Sequence, residues 1–99
     1  MDQREALELA RRYKQVIIKD FKDAKVYMYG SYSKGTAKED SDIDVAVILP
    51  KIGDNWWTLS TKLWGMVDDV SFLIEPVLLS ENDPSPLYAD VMRTGIAVK

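Results

Sequence analysis

Apolar residues recur at helical spacing through the first fifth of the chain: Ala6, Leu9, Ala10, Tyr13, Val16, Ile17 and Phe21. That period predicts an amphipathic helix over about residues 3–22. Asp2 is placed to cap it, and Glu5 three positions later completes a capping-box pattern. Lys25 to Tyr29 is rich in aromatic and branched residues and reads as a short strand. A polar, glycine-containing stretch follows from Ser31 to Ser41. From Asp42 to Leu49 the period changes to two, which predicts a strand. Ile43, Val45, Val47 and Leu49 fall on one face, and Asp42 and Asp44 on the other. Pro50 ends that strand and Lys51 to Asn55 form a loop. Trp56 to Val67 reads as a second helix, started by Asp54 or Asn55. Phe72 to Leu79 reads as a third strand, interrupted by Glu75 and Pro76. After a turn cluster, Ser85 caps a last helix with Pro86 at its first position. Gly95 stops it, and Ile96 to Val98 add a short edge strand. This order predicts an α/β or α+β fold: a small mixed β-sheet of three to four strands, with helices packed mainly on one face.

Size and composition narrow the picture. Ninety-nine residues predict a single domain over residues 1–99, with a small core. Hydrophobic residues at 46% and charged residues at 29% give an ordinary globular balance. The longest apolar run, Val45 to Leu49, is far too short to span a bilayer. The charged opening segment lacks a signal-peptide pattern, so the cytoplasm is the expected compartment. Cysteine and histidine are both absent. Thiolate chemistry, Ser-His-Asp catalysis and the usual zinc sites are thereby excluded. Any metal would need oxygen ligands, as Mg²⁺, Mn²⁺ and Ca²⁺ prefer. The net charge is −3. The cations of the first helix are interleaved with Glu5, Glu8, Asp20 and Asp23. An extended nucleic-acid surface is therefore not expected.

Two stretches carry the chemistry. Gly30-Ser31-Tyr32-Ser33-Lys34-Gly35 directly follows the first strand. Glycine permits a tight turn and close backbone approach, Ser31 and Ser33 add hydroxyls, and Lys34 adds positive charge. Free N–H groups at the start of a helical turn would face a phosphate. Such a stretch also serves as a plain polar loop. Asp42 and Asp44 are the second element. Two like charges on one strand face repel, a cost that a divalent cation between them removes. The competing reading is a solvated strand end, since Glu39 and Asp40 are acidic too. Glu75 is the third candidate, a carboxylate among apolar strand residues that a shared metal would compensate. Its alternative is an outward-facing residue on an edge strand.

Gly30-Ser31, ten intervening residues and then Asp42-Ile43-Asp44 resemble the signature of the DNA polymerase β-like nucleotidyltransferase superfamily. The short length resembles its minimal nucleotidyltransferase (MNT) branch, whose members are often antitoxins paired with a HEPN-domain ribonuclease toxin. The resemblance implies that Gly30, Ser31, Ser33 and Lys34 bind nucleotide phosphates. It implies that Asp42, Asp44 and Glu75 are catalytic and hold Mg²⁺, with Glu75 standing where the family often has Asp. ATP as donor, a HEPN toxin as partner and AMP transfer to a tyrosine hydroxyl follow as expectations. The rival expectation is a non-catalytic antitoxin that neutralises its partner by binding alone.

The second helix carries two apolar stripes. Trp56, Leu59, Leu63 and Val67 read as core. Trp57 and Trp64, seven apart, either complete the core or face a partner. Self-association is left open.

Overall fold

The computed structural model describes residues 1–99. Helix α1 spans Gln3–Ile17, β1 Lys25–Tyr29, α2 Ser31–Lys34 and β2 Ile43–Leu49. They are followed by α3 (Trp56–Gly65), β3 (Ile74–Ser80), α4 (Pro86–Thr94) and β4 (Ile96–Val98). The four strands form one mixed sheet in the order β3-β2-β1-β4. β1 runs antiparallel to both β2 and β4, whereas β2 and β3 are parallel. The sheet and its helices match the expected architecture.

Of the helix starts read from the sequence, Asp2 and Ser85 cap with their side chains, whereas Asn55 stands at the N-cap of α3 without a side-chain hydrogen bond. Asp2 accepts from the Glu5 N–H while the Glu5 side chain accepts from the Asp2 N–H. Ser85 accepts from the Tyr88 N–H. Each such cap contributes about 0.5–2 kcal/mol. Helix α1 stops at Ile17, not near residue 22, and Phe21 reaches the core from the turn beyond it, its N–H bonded to the Ile17 carbonyl. β3 starts at Ile74, and Phe72 stands outside it, 82% exposed.

Alternation along β2 sends its two sets of residues to different cores. Ile43, Val45, Val47 and Leu49 pack with Ala6, Ala10, Tyr13 and Ile17 of α1, Leu63 of α3, and Val26 and Met28 of β1. Ala46 and Ile48 face the opposite way and pack with Leu79 and with Val91 of α4. Most helical mass therefore lies on one face, and α4 alone covers part of the other. Tyr13 links α1 to α3: its buried hydroxyl donates to the Leu63 carbonyl at 2.7 Å. Burial pushes the Tyr13 hydroxyl well above its ordinary pKa.

The Trp56 stripe is only partly core. Leu63 and Val67 are buried, Leu59 is half-buried, and Trp56 is exposed, with its indole N–H donating to the Leu78 carbonyl at 2.9 Å. Trp57 is 77% exposed and Trp64 49%, so neither completes the core. No helix is long and apolar enough to cross a membrane.

Candidate active site

The site is built where β1 ends and β2 and β3 begin. Tyr29 is the last residue of β1, and it pairs with Asp44. Asp44 pairs in turn with Glu75 of β3. Cross-strand partners project to the same side of a sheet. Tyr29, Asp44 and Glu75 therefore form a row across three strands, on the face that α4 partly covers. Asp42 lies one residue before β2 and is exposed. Its carboxyl is close enough to Glu75 to share a hydrogen bond.

The electrostatics follow from this crowding. Asp44 is held above the usual aspartate range, first by partial burial and then by the charge of Asp42. Glu75 is exposed on the edge strand β3, not enclosed by its apolar neighbours, and is likewise raised, by slight desolvation, by the hydrogen bond to Asp42 and by the charges of Asp42 and Asp44. The Tyr29 hydroxyl is pushed up to about 12 by burial and by Asp44, Glu75 and Asp90. Three carboxylates thus share one end of the sheet, and none of them pairs with a Lys or Arg side chain. Their oxygen-only donor chemistry fits a hard divalent ion, which would relieve the repulsion. In this arrangement the side chains do not close into a three-ligand cage, so ligation requires side-chain adjustment.

The turn after β1 fits closely against this row. Gly30 has φ 74° and ψ −146°, a conformation suited to glycine. A Cβ at Gly30 would overlap the Asp44 carboxylate oxygen Oδ2. Helix α2 begins immediately afterwards. It is anchored by the buried Tyr32 ring and by Gln3, whose amide donates to the Tyr32 carbonyl at 2.8 Å. The Ser33 hydroxyl donates to the Gly30 carbonyl at 2.9 Å, closing the turn. Ser31 is half-buried at the start of α2, and Gly35 ends it at φ 75°. Lys34 reaches α4, its Nζ lying 3.1 Å from Asp90 Oδ2.

The structure therefore brings Gly30, Asp42, Asp44 and Glu75 together, with Lys34 tied to α4 nearby. Two neighbours escaped the sequence reading. Tyr29 reads there only as the end of a strand, yet it stands directly across from Asp44. Asp90 carries no motif, and only its i,i+3 spacing to Arg93 marks it. A hollow of about 260 Å³ lies at the other end of β2, lined by Phe21, Leu49 and Lys62. It contains none of the carboxylates.

Comparison with known proteins places this geometry. Residues 10–81 match the family model of the nucleotidyltransferase domain. Over 52 residues, half of this chain, the sequence is 40% identical to protein adenylyltransferase MntA of Shewanella oneidensis. That match spans only 37% of the relative's length. A solved toxin–antitoxin complex with AMP-PNP contains a chain 26% identical to this one, with a TM-score of 0.58. The overlay covers 90% of this chain and 72% of that one. In fold, the chain is similar to a Sulfolobus solfataricus protein assigned as a nucleotidyltransferase, at TM-score 0.71 and 19% identity, covering 96% of this chain and 80% of that one. It also shares a fold with a chain from the complex of tri-AMPylated Shewanella oneidensis HEPN toxin with MNT antitoxin, at TM-score 0.56, 22% identity and 98% and 71% coverage. With the family model matched over most of its length, the chain belongs to the nucleotidyltransferase domain family.

Proposed function

We propose that this chain is a Mg²⁺-dependent adenylyltransferase acting as an antitoxin, and that it transfers AMP from ATP to a tyrosine hydroxyl of a HEPN-family toxin. The observation that carries the proposal is the in-register pairing of Asp44 with Glu75, beside a Gly30 turn that only a residue without a side chain can make. The likeness to MntA supports protein adenylylation, and the AMP-PNP complex supports an adenine nucleotide. Residues 1–99 are taken as one catalytic domain.

Asp42, Asp44 and Glu75 would hold the Mg²⁺, which when bound neutralises triphosphate charge and acidifies the attacking hydroxyl. Gly30 lets the backbone approach the phosphates, and Ser31, Ser33 and Lys34 supply donors and positive charge around them. The acceptor oxygen forms a bond to the α-phosphorus as the bond to the departing pyrophosphate breaks. The acceptor proton passes to a carboxylate. Asp44 or Glu75, neighbours on β2 and β3, would accept it. With no histidine in the chain, no imidazole competes for that role.

The direct test is incubation of the protein with Mg²⁺, ATP and a HEPN partner, followed by mass spectrometry of the partner. One or more adenylyl groups on a tyrosine are expected, and their absence from the Asp42→Asn/Asp44→Asn variant. A second reading is favoured by the exposed Trp57 and Trp64: neutralisation by binding alone. If the doubly substituted variant neutralises the toxin as well as the parent does, that second reading holds and the catalytic one does not.

A further inference from the structure

Lys34 is the only cation of the turn after β1, and it already has a partner. Its Nζ lies 3.1 Å from Asp90 Oδ2 on α4. The other carboxylate oxygen of Asp90 accepts from Arg93 Nη2 at 2.9 Å, one helical turn along. One carboxylate is thus bracketed by two cations of different origin. Lys34 comes from the turn beside the catalytic row, and Arg93 from the helix that carries Asp90. Asp90 also lies close enough to Tyr29 for its charge to act on the tyrosine hydroxyl. This places the ion-pair cluster on the same face as Asp44 and Glu75.

The Lys34 and Asp90 side chains are 42% and 25% exposed. An ion pair this open to water is weak. A triphosphate offers more charge and more acceptor oxygens than a single carboxylate, and so competes for the same ammonium. Arg93 makes the exchange easy, because Asp90 keeps a counter-charge after Lys34 leaves.

We propose that Asp90 is a positioning residue for Lys34: it parks the ammonium against α4 in the nucleotide-free protein and yields it to the triphosphate entering the Gly30 turn. The proposal rests on the nucleotidyl-transfer reading of the site. Nucleotide binding then detaches the turn from α4, so α4 registers whether the site is occupied.

The test has two arms, both on the full chain. The first uses no nucleotide: the Lys34 side-chain ammonium and Cε signals are followed by NMR. They should shift in Asp90→Asn and be restored in Asp90→Glu. Lack of any shift in Asp90→Asn shows that the ion pair does not form in solution and overturns the proposal. The second arm measures the Kd of Mg²⁺-ATP. Removing a weak competitor should tighten binding roughly two- to fivefold in Asp90→Asn. Arg93→Ala should weaken it by a similar factor, and Lys34→Gln should weaken it and make Asp90→Asn silent. Unchanged or weaker binding in Asp90→Asn overturns the proposal, as does an effect of Asp90→Asn that survives in the Lys34→Gln background. If Lys34 responds to Asp90→Asn but neither parent nor variant binds Mg²⁺-ATP, the nucleotide reading has failed and the exchange fails with it. Binding by the parent without the expected gain in Asp90→Asn overturns the exchange alone.

Discussion

The two faces of this sheet are built by opposite rules. On the face covered by α1 and α3, Ile43, Val45, Val47, Ile74 and Leu78 are buried among apolar partners, and the Tyr13 hydroxyl finds the Leu63 carbonyl. On the other face, α4 covers Ala46, Ile48 and Leu79 but leaves the end of the sheet open. There Tyr29, Asp44 and Glu75 stand side by side, with Asp42 adding a third carboxylate. The first face concentrates favourable contacts. The second concentrates like charges that the fold alone does not neutralise. The same β2 strand serves both, because its alternation divides stability from chemistry residue by residue. Damage to one face should therefore read out differently from damage to the other.

The largest effect should come from the open face. Asp42→Asn/Asp44→Asn should lower AMP transfer more than about 100-fold, since changing even the outer partners of a metal site costs about 10–100-fold. The same change should leave the protein at least as stable as the parent. Relief of carboxylate repulsion should add about 0.2–1 kcal/mol, measured by urea unfolding. On the closed face the pattern should reverse. Ile74→Ala should cost about 2–5 kcal/mol by opening a cavity, seen as a lower urea midpoint. Transfer activity should persist in the fraction that remains folded.

Gly30→Ala tests where the faces meet. The strained backbone should cost about 1–3 kcal/mol, and the overlap with Asp44 should also weaken Mg²⁺-ATP binding in the folded protein. Thermal unfolding and a binding titration together would show both effects.

The mildest loss of stability at neutral pH should come at Tyr13. Tyr13→Phe should cost about 0.5–1.5 kcal/mol through the lost hydrogen bond. At high pH its consequence changes. The folded protein holds the Tyr13 proton more tightly than the unfolded chain does. The associated stability is complete below the unfolded pKa of about 10, and declines above it by up to about 1.4 kcal/mol per pH unit. The Tyr29 hydroxyl, pushed up to about 12, adds to the same alkaline loss. Unfolding free energies measured from pH 8 to 11 should fall beyond pH 10, and less steeply in Tyr13→Phe.

Local signals made most elements legible. The bounds of β1, the capping residues Asp2 and Ser85 and the period-two pattern of β2 all follow from short-range chemistry. The Gly30-Ser31 and Asp42-Ile43-Asp44 spacing pointed to the family, which the domain match supports. The stop of α1 at Ile17 was not legible, because no glycine or proline marks it and Phe21 stays in phase with the stripe. Phe72 looked like strand, yet pairing starts around it: the Leu73 carbonyl accepts from the Ile43 N–H and Phe72 faces water. The places of Tyr29 and Asp90 depend on tertiary docking. Residues 30–42 join β1 to β2 with no tight hairpin to fix register, so the pairing of Tyr29 with Asp44 could not be counted off. Asp90 meets Lys34 only because α4 packs on the far face.

The central claim is that the open face is a metal-dependent nucleotide site. The most direct measurement is a titration of Mg²⁺ and ATP into isotope-labelled protein, followed through backbone amide shifts. Metal-dependent shifts at residues 30–34 and at Asp42, Asp44 and Glu75 are predicted, with none in Asp42→Asn/Asp44→Asn. Amides that stay unmoved at millimolar Mg²⁺ and ATP, or that move equally in the variant, would contradict it.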